Sequence, residues 1–369
     1  MRIVLISFSV QPTMQKYLYL LGEELRDLDN HVLTIGSSDV RIDALLSPDA
    51  YLVDTPDSPK PSLKSLVGAA RSLRSIARRI GSFNPDVIHF VNKHTWNYPL
   101  ALMLSRQLKQ TSLVHTFHDP IGHDGDSVQK GVIVYHKAIM RILDCIVVHS
   151  DIAERQTREV LRPSCDIRQV PLGVTRWRAY RPPARAPKKK ALIFGRMNKY
   201  KGCERYPEIL DALHVVDPQI EVVIAGKASA DIGEDLLGAI TKRRNATFLQ
   251  RFIDEEEMTA LFEEADIVLA PYTSITQSGV LLDAYCFSKP VVAFDIDGIR
   301  QYFACDELLC RPFDVREFAD KAATAMSDAE SLERLSKRSW EFGRQHFTPN
   351  AMASGMQSVY CALSIEEPR

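Results

Sequence analysis

Two blocks of alternating strand-like and helix-like segments, separated by one basic stretch, constrain the fold of this chain most strongly. In the first block, apolar runs such as "RIVLISFS", "DVIHFV" and "CIVVHS" alternate with amphipathic helical segments. A parallel strand that is covered by helices on both faces is apolar along nearly its whole length, as these runs are. The alternation therefore predicts an α/β fold with a parallel sheet between two helical layers.

The stretch from 176 to 190, "RWRAYRPPARAPKKK", interrupts this alternation. It is rich in basic residues and proline and contains no acid, a composition that favours an extended linker acting as a solvated hinge. The alternation then restarts with "KALIFGRM", "IEVVIAG" and "ADIVLAPY". We therefore predict two doubly wound Rossmann-like domains, residues 1–178 and 188–350, followed by a helical end, 351–369. A ligand is expected at the carboxyl ends of the strands, in a cleft between the domains.

Composition excludes several classes of protein. With 369 residues, 45% of them hydrophobic, the chain can bury a large core, and its formal net charge of -1 argues against a nucleic-acid partner. The seven cysteines form no CxxC pair, which favours unpaired thiols in a reducing compartment. The amino-terminal "MRIVLISFSV" has a strand pattern unlike a signal peptide, and no stretch reaches transmembrane length. We expect a cytoplasmic protein that at most touches the inner face of the membrane.

A first candidate anion site lies in "IFGRMNKYKGCE". A strand ends at Phe194, and Gly195, Arg196 and Lys201 follow before a helix opens. Glycine permits close approach of the backbone to a ligand, and two cations beyond a strand's carboxyl end attract an anion. The alternative is an exposed basic loop with a turn glycine, since this spacing is a weak pattern.

A second candidate anion site lies in "TQSGVLLDAYCFS". Ser278 is placed to cap a helix, and Gly279 lets the first amides of that helix face outward, where they attract phosphate. The alternative is an ordinary capped helix. Because both candidate sites follow strands of one sheet, a shared diphosphate site is favoured over two unrelated features.

Asp283 follows on the first turns of this helix, among largely apolar neighbours. A carboxylate is costly to bury unless it is hydrogen-bonded, and the two hydroxyls of a ribose would supply those bonds. The alternative is that Asp283 faces solvent or caps a neighbouring element.

Several motifs from residue 170 onward resemble those of family 4 of the GT-B glycosyltransferases. They are "VPLGV", "FGRMNKYKG", "VVIAG", "FIDEEEMTALFEEADIVLAPY" and "SGVLLDAYCFSKPVVAF". The resemblance covers nearly all of residues 85–365 and implies two Rossmann-like domains facing a central cleft, with a C-terminal helix that crosses back to the first domain. It also implies a retaining transferase that moves a sugar from a nucleoside-diphosphate donor to a saccharide or lipid-linked acceptor, in cell-surface polysaccharide or glycoconjugate synthesis. It implies no cofactor and no metal.

The resemblance assigns roles to individual residues. Arg196 and Lys201 match the cationic pair that grips the diphosphate, and Asp283 matches the acid that binds ribose. His118 matches a histidine near the transferred sugar. The remaining donor-side positions that it implies are Gly195, Gly226, Gln277, Ser278, Gly279 and Val280.

The chain departs from the family pattern in two places. Ile275 stands eight residues before Asp283, where the family has a glutamate, so Gln277 is the residue expected to reach the donor sugar instead. The loop after the first strand, "SFSVQPTMQKY", lacks the family's glycine pair. Contacts from that loop are therefore not carried over.

The segment "HTFHDPIGHDGD" places polar residues at the end of another strand. His115, Asp119 and His123 are expected to line the acceptor side, while a metal site built from this cluster is the less favoured alternative.

The pattern of residues 62–80 predicts a helix with an apolar stripe and a basic face, and we expect the stripe to pack on the sheet. Contact of the basic face with anionic lipid is the minority interpretation.

Two other functions compete with a transferase. Ile275 motivates a catalytically weak protein that binds sugar nucleotides. A nicotinamide-dependent dehydrogenase is disfavoured because no G-x-G-x-x-G follows the first strand.

Overall fold

The structure is a computed structural model, and it describes residues 1–40, 50–55, 63–122, 129–173, 177–184 and 186–365. The strands within these ranges are β1 (Arg2–Ile6), β2 (His31–Ser37), β3 (Ala50–Val53), β4 (Val87–Phe90), β5 (Ser112–Thr116), β6 (Cys145–Val148), β7 (Asp166–Gln169), β8 (Lys190–Phe194), β9 (Glu221–Ala225), β10 (Ala246–Leu249), β11 (Ile267–Ala270), β12 (Val291–Phe294) and β13 (Leu309–Cys310).

The helices within the same ranges are α1 (Pro12–Asp27), α2 (Leu63–Phe83), α3 (Asn97–Gln107), α4 (Gln129–Ile139), α5 (Asp151–Gln156), α6 (Tyr206–Val216), α7 (Glu234–Thr241), α8 (Glu255–Glu264), α9 (Gly279–Cys286), α10 (Val315–Ala325), α11 (Ala329–His346) and α12 (Pro349–Ile365). A single π-helical turn, Thr157–Leu161, continues α5, and short 3-10 turns occupy Met140–Ile142, Lys199–Lys201, Cys203–Arg205, Arg300–Tyr302 and Asp306–Leu308.

The chain divides into two compact units. The first contains Met1–Val174 and Pro349–Arg369, and the second contains Thr175–Thr348. The predicted domain ends, at residues 178 and 350, lie within four residues of these divisions. The second unit begins at Thr175, earlier than the predicted start at 188, because the basic segment packs with it.

Each unit is built on a parallel sheet. Among the described residues, the strand order is β3-β2-β1-β4-β5-β6-β7 in the first unit and β10-β9-β8-β11-β12-β13 in the second. Every strand pair in the described ranges is parallel, and the central strands β4 and β11 are buried along their length. The predicted pair of doubly wound parallel sheets is confirmed, since the apolar runs indeed lie between two helical layers.

Several helices begin at a side chain that satisfies a backbone amide. Asp254, Asp314 and Asp328 precede α8, α10 and α11, and each accepts a hydrogen bond from an amide three residues further on. Ser150 does the same for α5. Such caps explain why these helices start where they do, because the first amides of a helix have no partner within it.

Helix α12 packs within the first unit, on β4 and α1. The Tyr360 hydroxyl lies 2.5 Å from Nδ1 of His89, and the Gln357 amide donates to the Leu28 carbonyl at 3.3 Å. Gly355 lies against Val170, so closely that a methyl group there would come within 2.8 Å of a Val170 methyl carbon. These contacts explain why the last helix of the chain belongs to the unit in which the chain begins.

The described residues 177–184 of the basic segment are exposed or half-buried and form no helix or strand, as the linker prediction expects, and several of their side chains contact other elements of the second unit. The Arg178 guanidinium stacks on the Phe287 ring at 4.3 Å and donates to the Thr259 hydroxyl at 3.2 Å. Arg181 pairs with Glu263 at 2.8 Å, and Trp177 lies against Gly343. Composition indicated an extended linker, but acids and aromatic rings distant in sequence hold it in place.

All seven cysteines are free, and six of them are buried. No helix in the described ranges combines the length and the apolar composition that crossing a bilayer requires.

Two helical glycines allow the packing of the second unit to be tested with one type of substitution. We expect Gly343→Ala to destabilise the protein by about 1–3 kcal/mol, because the new methyl group would lie 2.5 Å from Trp177 and 2.6 Å from Tyr285. Gly238→Ala in α7 meets nothing within 4 Å and should stabilise the protein by about 0.5–1 kcal/mol.

The measurement is chemical denaturation of both variants beside the parent protein. Equal effects of the two substitutions would show that α11 does not pack as described.

Candidate functional site

The candidate site of the second unit lies where its strand order reverses direction. From β8 the chain proceeds to β9 on one side, whereas β11 lies on the other side of β8. The loops that leave the carboxyl ends of β8 and β11 therefore diverge, and ligands of open α/β sheets bind in the crevice between such loops. The loop after β8 begins at Gly195, and the loop after β11 begins at Pro271.

Three glycines bring the strand ends close together. Gly195 has a φ of +97°, and a side chain there would come within 2.7 Å of the Lys201 ammonium and 3.2 Å of a Val280 methyl carbon. At Gly202, whose φ is +73°, a side chain would overlap the Pro271 carbonyl oxygen at 1.8 Å. Gly226, after β9, would do the same to the Gly195 carbonyl at 2.1 Å. Glycine is required at Gly202 and Gly226 because backbone segments touch there, and it is favoured at Gly195 by the positive φ.

Lys201 is the central charge of the site. Lys201 is only 8% exposed, and its ammonium group lies 5.6 Å from the centre of the Tyr272 ring. Burial lowers the pKa of Lys201 below its usual range, and the charge of Arg196 lowers it further, whereas the Asp283 carboxylate raises it. Among the described residues, no hydrogen bond or ion pair involves the Lys201 side chain. A buried cation in these surroundings favours an anionic ligand.

Helix α9 starts beside this charge without a side-chain cap. Ser278 occupies the cap position, but its hydroxyl bonds to the Tyr272 hydroxyl at 3.2 Å and accepts no bond from the helix. The prediction that Ser278 caps the helix is therefore wrong with respect to its side chain. A side chain at Gly279 would meet no atom within 4 Å, so the space next to the first amides is open. These amides carry the positive end of the helix dipole.

Asp283 lies half-buried one turn into α9, and its charge acts on both Lys201 and Tyr272. Arg196 is exposed and lies near enough to Lys201 to influence its pKa. The structure thus brings the predicted cations, the start of α9 and the predicted acid into one neighbourhood.

Ile275 and Gln277 occupy different environments. Ile275, which replaces the family's glutamate, is 4% exposed and belongs to the apolar core. Gln277 is half-buried, and its Oε1 atom has no hydrogen-bond partner among the described residues. The side-chain amide of Gln277 is therefore able to bind a further polar group, whereas Ile275 is not.

In the first unit, His118 follows β5 and is half-buried. Its Nε2 lies 2.9 Å from the Val91 carbonyl oxygen, which can only accept, so Nε2 carries the proton. In the neutral ring, Nδ1 then carries the lone pair. The Tyr17 ring meets His118 edge to face at 5.3 Å, and the His149 ring lies 5.1 Å away.

Sequence reasoning missed Tyr17 and His149, the residues that surround His118. The Tyr17 hydroxyl lies 3.2 Å from Nε2 of His149, whose Nδ1 donates to the Val170 carbonyl at 2.8 Å. Burial lowers the pKa of His149 to about 3, so the imidazole is neutral. The "HS" that ends the apolar run "CIVVHS" was the available signal, since a polar residue at a strand's carboxyl end is a candidate for a site.

The prediction that His115 contacts an acceptor is wrong. The residue is fully buried in β5, where its Nδ1 donates to the Thr116 carbonyl and its Nε2 accepts from the Tyr135 hydroxyl at 2.9 Å. Burial holds the pKa of His115 well below its usual range. It is a satisfied core histidine, because strand alternation directs it between sheet and helix.

Asp119 lies half-buried next to His118, whereas His123, Asp124 and Asp126 lie outside the described residues. Within the described ranges, no three His, Cys, Asp or Glu residues are grouped as metal ligands would be.

Comparison with protein families gives two matches along the chain. Residues 14–178 match a family described as Glycosyltransferase Family 4, and residues 188–328 match one described as Glycosyl transferases group 1. One match falls in each half of the chain, and together they cover most of it.

Similar proteins of known function include two transferases. D-inositol 3-phosphate glycosyltransferase of Corynebacterium efficiens is 27% identical over 330 residues, which cover 78% of this chain and 74% of that protein. Alpha-D-kanosaminyltransferase of Streptomyces kanamyceticus is 25% identical over 178 residues, which cover 47% of this chain and 46% of that protein. The chain thus spans about half the length of the latter relative.

Solved structures with the same fold align along almost the whole chain. Sucrose-phosphate synthase from Thermosynechococcus elongatus has a TM-score of 0.73 at 21% identity, with 98% of each chain covered. Anabaena HepE in complex with UDP and glucose has a TM-score of 0.70 at 18% identity, with 98% of this chain and 100% of HepE covered. These likenesses place the chain in the GT-B fold.

The buried charge of Lys201 leads to a prediction about stability and binding together. We expect Lys201→Met to raise the free energy of unfolding by about 1–3 kcal/mol at neutral pH, because it removes a desolvated cation. The same substitution should weaken the binding of inorganic pyrophosphate by about 1.5–3 kcal/mol, since a charged hydrogen bond is lost. Denaturation and isothermal titration are the measurements.

The pH dependence supplies an internal check. Since the pKa of Lys201 is lower in the folded protein, the unfolded chain binds more protons between the two pKa values, and stability rises with pH in that window. The stability gain of Lys201→Met should therefore shrink as the pH approaches the usual lysine range. Lys337→Met, at an exposed position of α11, is the matched control and should change neither quantity. A loss of stability in Lys201→Met would contradict the assignment.

Proposed function

Because this chain belongs to the family 4-like glycosyltransferases of GT-B type, we propose that it transfers a sugar, with retention of anomeric configuration, from a nucleoside-diphosphate donor to a hydroxyl group. The acceptor we propose is a saccharide or a lipid-linked saccharide, as in the synthesis of cell-surface polysaccharides and glycoconjugates. The relatives support this class of reaction, since both curated relatives are named as transferases.

One observation carries the proposal: Lys201 is a buried cation beside the uncapped start of α9, where β8 and β11 diverge. The desolvated ammonium and the open amides are two donors of positive potential directed to one place, and a diphosphate carries the complementary charge. HepE, which shares the fold, was solved with UDP bound. That complex supports a nucleoside diphosphate as the ligand class.

The proposed roles on the donor side follow from position. Arg196 and Lys201 hold the diphosphate together with the amides that follow Ser278, and Gly195 and Gly226 keep side chains out of the approach. Asp283 accepts hydrogen bonds from the ribose hydroxyls.

Gln277 takes the place of the glutamate that Ile275 replaces. Its unsatisfied Oε1 accepts a hydrogen bond from a hydroxyl of the donor sugar. A buried acceptor that lacks a partner costs free energy until a ligand supplies one.

The proposed reaction requires no protein nucleophile. The acceptor oxygen forms a bond to the anomeric carbon, and the bond from that carbon to the diphosphate oxygen breaks with its electron pair. The departing phosphate oxygen takes the acceptor proton. Cations and amides that already point to this phosphate stabilise its growing charge by about 3 kcal/mol for each well-placed donor. We therefore propose that neither a metal nor a cofactor takes part.

His118 is proposed to contact the transferred sugar. Its Nδ1 lone pair accepts a hydrogen bond from a sugar hydroxyl, because Nε2 is engaged with Val91.

The second candidate function, binding of sugar nucleotides with weak catalysis, is motivated by the buried Ile275.

A coupled assay tests the transferase against the binder. We expect the protein, screened with UDP, GDP, ADP and dTDP sugars, to release nucleoside diphosphate with one donor and to release it faster when a saccharide acceptor is added. EDTA should leave that rate nearly unchanged, since the cations of the site replace a metal. Binding without transfer would favour the binder, and a rate restored only by manganese or magnesium would refute the metal-free reaction.

Two variants separate the donor-side roles in the same assay. Arg196→Ala should weaken the binding of every diphosphate that the parent protein binds, because the lost arginine charge attracts all of them alike. Asp283→Ala should instead lose the discrimination between ribonucleotides and deoxyribonucleotides. If Asp283→Ala discriminates as the parent protein does, the ribose role is wrong.

We further propose peripheral membrane contact through α2. Arg71, Arg74, Arg78 and Arg79 are exposed on one helix, and within the described residues none of them forms an ion pair. The segment from Leu63 to Phe83 contains no acid to neutralise them. An unpaired basic face is attracted to anionic lipid by about 1 kcal/mol for each arginine near the surface.

Vesicle sedimentation tests this contact. Arg74→Gln/Arg78→Gln should reduce partitioning onto vesicles of phosphatidylcholine with phosphatidylglycerol by about 30-fold, in line with two arginine contributions. Arg334→Gln/Arg338→Gln changes the net charge equally but removes arginines that are paired with Glu307, and it should have little effect. Equal losses in both variants, or no binding by the parent protein, would refute a role for α2.

A further inference from the structure

Tyr272 is the second residue after β11 and is only 4% exposed. Burial raises its pKa to about 12, so the phenol keeps its proton at every working pH. Its hydroxyl and its ring lie next to two different parts of the candidate anion site. The hydroxyl meets Ser278, and the ring face meets Lys201.

The hydroxyl contact affects the start of α9. A serine at the cap position ordinarily accepts a hydrogen bond from the second or third amide of its helix, here that of Val280 or Leu281. That bond would satisfy an amide that a phosphate needs. In this structure the Ser278 hydroxyl is bonded to Tyr272 at 3.2 Å instead, and no side-chain cap forms.

The ring contact affects the cation. The Lys201 ammonium lies 5.6 Å from the Tyr272 ring centre, within the range over which an aromatic face attracts a cation. The backbone next to Lys201 lies close to the backbone next to Tyr272, because Gly202 packs against the Pro271 carbonyl. Only 8% of Lys201 is exposed, and no hydrogen bond of its side chain is found among the described residues, so the ring is one of the few groups near the charge, together with Tyr200, Arg196 and Asp283.

We propose that Tyr272 is a positioning residue for phosphate binding: its hydroxyl keeps Ser278 from capping α9, which leaves the first amides open, and its ring holds Lys201 beside them. The inference rests on the proposed function for the identity of the ligand, a nucleoside diphosphate, but the control of the helix start by Tyr272 is a property of the ligand-free protein.

An ordinary core tyrosine would behave differently on substitution. Phenylalanine fills the same volume and offers the same ring face to Lys201, so Tyr272→Phe removes only the hydroxyl. If the hydroxyl merely satisfied Ser278, its loss would affect stability and leave the amides as they were. If it diverts Ser278, its loss frees the serine to cap the helix, and the serine then competes with phosphate.

The experiment is a double-mutant cycle of Tyr272→Phe and Ser278→Ala, read by titration with inorganic pyrophosphate and with UDP. Tyr272→Phe should lower the affinity for both ligands about ten-fold when Ser278 is present. In the Ser278→Ala background the same substitution should change affinity less than two-fold, because alanine cannot cap. An equal loss in both backgrounds would overturn the proposal.

Amide hydrogen exchange in the ligand-free protein gives a readout that is independent of binding. The exchange of the Val280 or Leu281 amide should slow several-fold in Tyr272→Phe and return to the parent rate in the double variant. Unchanged exchange at both amides would overturn the diversion of Ser278.

Tyr285→Phe is the matched control, since Tyr285 is a buried tyrosine of α9 whose hydroxyl donates to the Tyr302 carbonyl at 2.6 Å, away from the helix start. It should lose stability but leave pyrophosphate affinity unchanged. A parent protein that follows the predicted cycle with pyrophosphate but transfers no sugar supports the positioning role and refutes the transferase alone. A parent protein that binds neither pyrophosphate nor UDP overturns the positioning role.

Discussion

The desolvated ammonium group of Lys201 is the constraint on which the strand-end site of the second unit depends. Burial opposes its charge, Arg196 adds to the cost, and Asp283 offsets part of it. Its position follows from close backbone contacts, because Gly202 touches the Pro271 carbonyl and Gly195 leaves room for the ammonium. A cation held in this way gains most from an anion, since its own surroundings satisfy it incompletely. The free energy lost in folding such a site would be recovered on binding an anion.

In the first unit, by contrast, the buried histidines are neutral and hydrogen-bonded. His89 lies between the Tyr360 hydroxyl at 2.5 Å and the Thr116 hydroxyl at 2.8 Å, and burial lowers its pKa to about 3. His149 is likewise neutral and bonded at both ring nitrogens. These neutral, hydrogen-bonded rings lie near His118. The two units therefore differ: one stabilises a network of neutral groups, and the other retains a buried charge that is only partly compensated.

Much of the fold follows from local pattern. Apolar runs such as those of β6 and β12 are buried on both faces, and that property alone predicts parallel strands beneath helices. The glycine and lysine after β8 likewise indicated an anion site. Glycine at a strand's carboxyl end lets the backbone approach a ligand, and a cation there attracts an anion. Segment 177–181 shows the limit of such reasoning. Its composition predicted a solvated, extended segment, and its residues are exposed or half-buried, but contacts with Phe287 and Glu263, which are distant in sequence, fix its position.

The sequence by itself determined the two sheets, the helix that starts after Ser278, and the presence of cations beside it, since periodicity and residue type are local properties. Only the tertiary structure decided what those groups do. Ser278 has the residue type of a cap, but Tyr272 takes its hydroxyl, and that depends on where the end of β11 lies relative to α9. His115 has the residue type of a ligand, but Tyr135 and the Thr116 carbonyl satisfy it within the core. The physical reason is that a polar side chain has few bonds to make, and packing between distant elements decides which partner is within reach.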